Sequence, residues 1–197
     1  MWGFYKFACC LTWPFIGIRY PHKVRGRENI PEGAALICPC HSSNTDPLLA
    51  AYAFRKKNVL HFMAKAELFR IPILGPLVYK LGSFPVERGK SDVNAIKCAM
   101  KFLKNGEKVC MFPEGKRVWD EENTKAKTGA VILAVRMGVP VVPVYIARKK
   151  PWFRRVPIVI GEPYMVDLDK KTATHEDYKT ATVQLMEKIN ALKAVAQ

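Results

Sequence analysis

The sequence predicts an α/β fold with a mainly parallel or mixed central sheet that helices cover on both faces. Two observations support this class: short apolar runs alternate with helical stretches from residue 24 onward, and polar groups directly follow several of those runs. Alternating strands and helices form βαβ units, whose connections place helices over the sheet. The chain of 197 residues, 49% of them hydrophobic, is long enough to bury the core of one domain.

The individual elements follow from hydrophobic periodicity and from the residues that begin and end them. Strands are predicted at 34–38, 59–64, 109–112, 141–146 and 158–160, where short apolar runs are bounded by polar or turn residues. Helices are predicted at 48–53, 92–105, 127–137 and 174–195. The helix at 92–105 has an apolar face opposite three lysines and ends at Gly106. The apolar run 71–79 is interpreted as ordinary core, with an acyl tunnel as the alternative.

Residues 1–22 are predicted to form a helical membrane-docking segment, and residues 23–197 the globular domain. The first 20 residues hold seven of the 21 aromatic residues, but their longest charge-free run has only 12 residues. A bilayer span needs about 20, and a basic leading region and a cleavage site are also lacking. Aromatic side chains beside cations suit the headgroup level of a membrane. The alternative is a helix packed on the core of its own domain.

The charge balance and the cysteines restrict the classes of partner and site. The chain has 32 basic and 17 acidic residues, a net charge of +15, which favours nucleic acid, an anionic membrane surface or phosphorylated substrates as partners. Its six cysteines lack paired C-x-x-C spacing, so we expect reduced thiols. Three residues of types that bind metal ions lie close together in the sequence: Cys38, Cys40 and His41. No second pair of metal ligands follows them, so no metal site is predicted.

The stretch 40–47 carries the strongest catalytic signal. Asp46 and Pro47 are a helix-start signal, with Asp46 as the N-cap and Pro47 as the first helical residue. His41 directly follows the predicted strand 34–38, at the end of the sheet where α/β proteins bind ligands. An imidazole can take a proton from a hydroxyl if a carboxylate holds its other nitrogen, so the pair predicts a general base. The alternative is a strand-end histidine and a simple cap.

Three further stretches, 82–88, 109–117 and 139–144, place polar or charged groups next to an apolar run. Two of them contain an arginine, Arg88 and Arg117, whose guanidinium can bind a phosphate through two parallel hydrogen bonds. A glycine in the same stretch lets a ligand approach the backbone closely. Taken alone, each arginine is more often a solvated surface charge.

In this order the four stretches resemble the glycerolipid acyltransferases, and most closely the 1-acylglycerol-3-phosphate O-acyltransferases. That family carries the blocks H-x-x-x-x-D, G-x-x-F-x-x-R, F-P-E-G-[ST]-R and V-P-[VI]-x-P-V, which correspond here to 41–46, 82–88, 112–117 and 139–144. Two departures are visible. Cys40 precedes the histidine where the family often has asparagine, and Lys116 replaces the usual serine or threonine of the third block.

The resemblance implies an acyl transfer from a thioester, either acyl-CoA or acyl carrier protein, to the free hydroxyl of lysophosphatidate. The product would be phosphatidic acid, an intermediate of phospholipid biosynthesis. His41 would remove the hydroxyl proton, and Asp46 would orient the imidazole ring. The blocks do not separate this acceptor from glycerol-3-phosphate or from another lysophospholipid.

The resemblance also implies how the acceptor is held. Arg88, Arg117 and Lys65 would bind its phosphate, while Glu114 and Gly115 would support the acceptor site. No cofactor is expected beyond the acyl donor.

The expected partners are therefore the two substrates, an anionic membrane surface and, as one form of the donor, acyl carrier protein. The expected location is the cytoplasmic face of the cell membrane, as a peripheral or monotopic protein. The run 148–155 mixes aromatic and basic residues and would also suit nucleic acid, which is the remote alternative. Binding of nucleic acid is not expected, because it would leave His41 and Asp46 without a role.

Overall fold

The computed structural model describes residues 2–55, 57–87, 92–119 and 126–196. Within these ranges the helices are α1 (Trp2–Arg19), α2 (Asp46–Phe54), α3 (Leu74–Lys80), α4 (Val93–Lys104), α5 (Gly129–Met137) and α6 (His175–Ala196). The strands are β1 (His22–Arg25), β2 (Ala35–Pro39), β3 (Leu60–Lys65), β4 (Phe84–Val86), β5 (Lys108–Cys110), β6 (Val141–Ile146) and β7 (Val156–Ile160). Short 3₁₀ helices lie at Arg27–Asn29 and Ala66–Arg70.

The seven strands of the described part form one mixed sheet in the order β1-β7-β6-β2-β5-β3-β4. Strands β2 to β6 are mutually parallel, β7 runs antiparallel to β6, and β1 runs parallel to β7. In the centre, Ile37 lies opposite Cys110 on one side and Val142 on the other. The predicted α/β class with a mixed sheet is thereby confirmed.

Helices cover both faces of this sheet. The connections β2–α2–β3 and β3–α3–β4 run one way across the sheet, whereas β4–α4–β5 and β5–α5–β6 run the other way. Because parallel crossovers are right-handed, α2 lies on the opposite face from α4 and α5. All residues of β2 and β6 are buried, as expected for strands covered on both sides.

All five parallel strands finish at one end of the sheet, which we call the carboxyl end. The neighbours β2 and β5 send their outgoing connections to opposite faces of the sheet. Such a reversal opens a crevice between the two connections, and it is where open α/β sheets bind their ligands. The antiparallel strands β7 and β1 begin at this same end, so the end of α1 also lies there.

One face of α1 packs against the domain. Tyr5 is buried, the Thr12 hydroxyl lies 2.6 Å from the Tyr52 hydroxyl, and the Trp13 ring packs edge-on against His22 and Tyr52. None of the helices in the described ranges is long and apolar enough to cross a membrane.

Two interpretations of apolar and cysteine-containing segments can be compared with this fold. The run 71–79 is not core, since Ile73 is 87% exposed and Tyr79 is 67% exposed, with Ile71 also exposed. The described cysteines form no disulfide, and Cys38, Cys40 and Cys110 are buried.

Candidate active site

The segment after β2 brings His41 and Asp46 together at the carboxyl end of the sheet. The Nδ1 atom of His41 lies 3.1 Å from Oδ2 of Asp46. Asp46 is completely buried, whereas the ring of His41 is mostly buried but reaches the surface. The backbone N–H groups of Ser42 and Ser43 donate to the same Asp46 oxygen at 2.6 Å each. The carboxylate is therefore fixed from two sides, and it leaves Nε2 of His41 as the ring nitrogen that can accept a proton.

The helix that follows begins one residue earlier than the Asp-Pro signal predicts. Helix α2 starts at Asp46, and Thr45 rather than Asp46 is its N-cap. The prediction of Asp46 as the cap is wrong because its side chain turns back to the amides of Ser42 and Ser43, which precede the helix. Pro47 still lies in the first turn, where its missing N–H costs nothing.

The segment after β5 contacts His41 from the other side of the crevice. The ring of Phe112 stacks on the imidazole with the ring centroids 4.1 Å apart and an interplanar angle of 27°. The N–H of Val118 donates to the His41 carbonyl oxygen at 2.8 Å. These contacts fix both the plane of the imidazole and the backbone that carries it.

Glu114 is buried next to the backbone of His41. It is 2% exposed, and its Oε1 accepts a hydrogen bond from the His41 N–H at 3.0 Å. The next residue, Gly115, has φ of +65°, and a Cβ there would lie 3.0 Å from the Lys127 side chain. Glycine therefore suits both the backbone conformation and the space of this turn.

Replacement of Glu114 by glutamine is expected to stabilise the protein more at pH 8 than at pH 5. Burial raises the pKa of Glu114 from 4.5 to about 7, so between these values the folded state holds a proton that the unfolded chain has lost. The stability contributed by this proton is complete below pH 4.5 and is lost as the pH rises through 7. Glutamine cannot ionise. The difference in the free energy of unfolding between Glu114→Gln and the parent is therefore expected to grow by up to about 3 kcal/mol as the pH rises from 5 to 8.

Urea unfolding at pH 5 and pH 8 measures this difference, with Glu162→Gln as the control at an exposed glutamate. A difference between Glu114→Gln and the parent that does not change with pH would contradict the assignment.

Two basic residues that the sequence analysis does not assign to the site lie in the segment after β6. The Nη2 atom of Arg148 is 3.6 Å from Oε1 of Glu114, and the Nζ atom of Lys150 is 2.8 Å from Oδ1 of Asp46. Both side chains are less than a tenth exposed. The signal that could have identified them is their position, since they follow the carboxyl end of a parallel strand as His41 and Glu114 do.

Asp46 is ionised in this environment. Burial by itself raises the pKa of the Asp46 carboxyl, but the hydrogen bond with His41 and the charge of Lys150 outweigh it and lower the pKa. An ionised Asp46 is an acceptor only, so it holds His41 in the tautomer that carries its proton on Nδ1.

The predicted phosphate-binding residues are less closely associated with the pair. Lys65, at the end of β3, is about half exposed and forms an ion pair with Glu67 at 2.9 Å. Arg117, in the segment after β5, is exposed. Both lie at the carboxyl end of the sheet, with their charged groups available to a ligand from solvent. Arg88 lies outside the described residues.

Of the two departures from the family blocks, Cys40 and Lys116, only Cys40 has a visible structural consequence. The Cys40 thiol donates to the Ile146 carbonyl oxygen at 3.2 Å and accepts from the Ile146 N–H at 3.3 Å, so it joins the ends of β2 and β6. Lys116 is exposed. The second block also departs from its pattern, because Phe84 stands one position early and Pro85 takes the place of the phenylalanine.

Comparisons with known proteins show which family this chain is similar to. A sequence model of the family described as Acyltransferase matches residues 21–147. The 1-acyl-sn-glycerol-3-phosphate acyltransferase of Bacillus subtilis is 32% identical over 165 residues, which are 81% of this chain and 81% of that protein. The enzyme of the same name from Pseudomonas aeruginosa is 33% identical over 71% of this chain, which spans about half (53%) of that protein.

A solved structure resembles the whole described fold. The crystal structure of the 1-acyl-sn-glycerophosphate acyltransferase PlsC from Thermotoga maritima has a TM-score of 0.64 and 29% sequence identity to this chain. The match covers 98% of this chain and 78% of the Thermotoga chain. Together with the family match over residues 21–147, these similarities establish that the chain belongs to the acyltransferase family.

Proposed function

We propose that the protein transfers an acyl group from an acyl thioester to the free hydroxyl of 1-acylglycerol-3-phosphate and so forms phosphatidic acid for phospholipid biosynthesis. The observation that carries this proposal is the His41–Asp46 pair, 3.1 Å apart, at the carboxyl end of the sheet. The acceptor follows from the relatives, whose names identify them as acyltransferases for this substrate.

The chemistry requires one general base and no covalent enzyme intermediate. Nε2 of His41 takes the proton of the acceptor hydroxyl, and the oxygen attacks the carbonyl carbon of the thioester. The Asp46 carboxylate stabilises the imidazolium that forms. The tetrahedral intermediate then collapses, its C–S bond breaks, and the thiolate leaves and is protonated by the imidazolium. The products are the new ester and a free thiol, and His41 returns to its starting state.

The acceptor phosphate binds to basic side chains at the carboxyl end of the sheet. Arg117 and Lys65 lie there on neighbouring segments, and Arg88 belongs to the segment that follows β4. Arginine is suited to this role because its planar guanidinium can donate two parallel hydrogen bonds to a phosphate. The net charge of +15 also attracts an anionic acceptor and an anionic donor.

The acyl donor is acyl-CoA or acyl carrier protein, and no other cofactor takes part. A thiolate is a good leaving group, so the base and an oxyanion donor suffice for the transfer. The proposal is tested by assaying the purified protein with both donors against lysophosphatidate, other lysophospholipids and glycerol-3-phosphate. A preference for glycerol-3-phosphate, or for a lysophospholipid with a larger headgroup, would replace the proposed acceptor. The absence of acyl transfer to every acceptor would overturn the proposal.

Replacement of Arg117 by alanine is expected to raise the KM for lysophosphatidate by about tenfold and to leave the donor KM unchanged. The magnitude corresponds to the loss of one charge-assisted hydrogen bond from a partly solvated site. Lysine should restore only part of the affinity, since its ammonium cannot form the two-pronged contact. Steady-state kinetics with each substrate varied in turn measure the effect.

The matched control is Arg136→Ala, because Arg136 is exposed in the last turn of α5, at the opposite end of the sheet. Equal changes in both KM values, or none, would make Arg117 an ordinary surface charge.

The protein binds to the cytoplasmic face of the cell membrane as a peripheral or monotopic protein. Helix α1 carries large apolar side chains along one face, which we call the docking stripe: Phe7, Leu11, Phe15 and Ile18, each 59–75% exposed. Their spacing of three or four residues places them on one side of the helix.

The segment after β6 extends this apolar surface. The Arg19 guanidinium lies 3.4 Å from the Trp152 ring centroid, and the Phe153 N–H donates to the Arg19 carbonyl oxygen at 2.9 Å. Trp152 and Phe153 are 59% and 67% exposed. Exposed aromatics beside arginines match the composition of surfaces that bind anionic lipid headgroups. A surface at the same end of the sheet as His41 would place the site next to the bilayer that holds the acceptor.

A further inference from the structure

The ammonium group of Lys150 is buried against the catalytic carboxylate. Its Nζ atom lies 2.8 Å from Oδ1 of Asp46, 2.7 Å from the Ser42 hydroxyl oxygen and 3.4 Å from the Arg148 carbonyl oxygen. Only 5% of the side chain is exposed. An ammonium group has three N–H donors, and each therefore has an oxygen within reach.

Asp46 also has contacts that do not involve this cation. Its Oδ2 atom already accepts from the amides of Ser42 and Ser43 and contacts His41 Nδ1. Removing an ammonium group from water is costly, and the same carboxylate could be held by neutral donors alone. The main consequence of Lys150 is therefore electrostatic: it places a second positive charge beside a carboxylate that must also stabilise an imidazolium.

We propose that Lys150 is a positioning residue for acyl transfer, which acts through Asp46 to lower the affinity of the His41–Asp46 pair for an additional proton. With Lys150 present, the charge of Asp46 is already balanced, so protonation of His41 adds an uncompensated positive charge. Without Lys150, a proton on His41 becomes the main counter-charge of Asp46. This inference rests on the proposed role of His41 as the general base.

Three further groups around the pair bear on its titration. Arg148 and Glu114 lie 3.6 Å apart, and Glu114 contacts the His41 backbone. Cys40 is buried directly before His41, and burial raises the pKa of its thiol to about 12, so it stays neutral. Because the pKa of Glu114 is about 7, its titration overlaps the pH range of interest. The experiment must therefore distinguish the ionisation of Glu114 from the effect of Lys150 on the pH profile.

The test is the pH dependence of kcat/KM between pH 5 and pH 9, with a water-soluble short-chain lysophosphatidate and a saturating acyl thioester. This profile reports the ionisations of the free enzyme. In Lys150→Met the acid limb is expected to move up by about one pH unit, so the rate on that limb falls about tenfold. At pH 9 the rate should remain within about threefold of the parent, since Asp46 keeps its amide donors.

Lys150→Arg, which keeps the charge, should restore the parent profile. Lys149→Met is the matched control, because the adjacent Lys149 is exposed whereas the side chain of Lys150 is buried. Lys150→Gln removes the charge but keeps a donor for Asp46, and it serves where the methionine variant is poorly folded. Repeating the series in a Glu114→Gln background removes the overlapping ionisation.

The outcomes separate this inference from the proposed function. An unchanged acid limb in folded Lys150→Met or Lys150→Gln, with His41→Ala inactive, overturns the role of Lys150 alone. If His41→Ala is active, the general-base proposal fails, and the role of Lys150 fails with it. If both neutral variants unfold while Lys150→Arg folds, Lys150 maintains the fold instead, and the inference is again overturned.

Discussion

Replacement of His41 by alanine is expected to lower kcat for acyl transfer by roughly 10²–10⁴-fold, the usual contribution of a general base. Alanine leaves Asp46 in place but removes the nitrogen that faces the acceptor hydroxyl. The fold should survive, because the backbone contacts of residue 41 with Glu114 and Val118 do not involve the imidazole. Initial rates with a short-chain acceptor, together with thermal unfolding, measure both effects.

The matched control is His175→Ala, since His175 is exposed at the start of α6, outside the segments that form the site. Near-normal kcat in His41→Ala, at an unchanged melting temperature, would remove His41 from the mechanism. A protein that loses activity only because it unfolds would show the change in melting temperature as well.

Replacing all four residues of the docking stripe by glutamine is expected to move the protein from the membrane fraction to the soluble fraction. Each large apolar side chain is worth about 1.5–3 kcal/mol when fully buried, so even partial burial of four of them dominates docking. Activity on acceptor in vesicles should fall about tenfold or more, while activity on a water-soluble short-chain acceptor should remain. Vesicle flotation and the two activity assays measure this.

The structure makes this substitution a sharper experiment than deleting residues 2–20, because deletion would also remove buried Tyr5 and the Thr12–Tyr52 contact. The control replaces Val183 and Val195 of α6, which are 57% and 49% exposed, by glutamine. Equal loss on both acceptors would indicate that the stripe supports the fold. A variant that still floats with vesicles would place docking at another surface.

Much of the fold could be predicted from apolar runs. The strand at 141–146 matches β6, and the strand at 34–38 differs from β2 by one residue at each end. The outermost strands β1 and β4 were missed. The sequence of β1, HKVR, contains one apolar residue, and β4 has only three residues with a proline in the middle. Edge strands bury little surface, so they leave little hydrophobic signal.

The sequence predicted the part of the candidate site whose residues lie close together in the chain. Only four residues separate His41 from Asp46, so one short loop brings the two side chains together. Lys150 lies 108 residues after its partner Ser42, and its own neighbours are basic and aromatic, which favoured a membrane or nucleic-acid surface. Which loops meet depends on the strand order, with β6 beside β2 and β2 beside β5, and no local pattern specifies that order.

The turns that precede β2, β5 and β6 lie at the end of the sheet opposite the site. They contain Gly33, Gly106 and Gly138, each exposed, and apart from the neighbouring residues no atom lies within 4 Å of where a Cβ would stand. Exposed turns of this kind tolerate insertions. Strands β2 and β6, of five and six residues, separate the turns at Gly33 and Gly138 from the site by about 15–20 Å. An affinity tag inserted at one of these turns would attach the enzyme to a solid support by the end of the sheet that lies away from His41. The candidate active site would then face the solution, where vesicles that carry the acceptor can reach it.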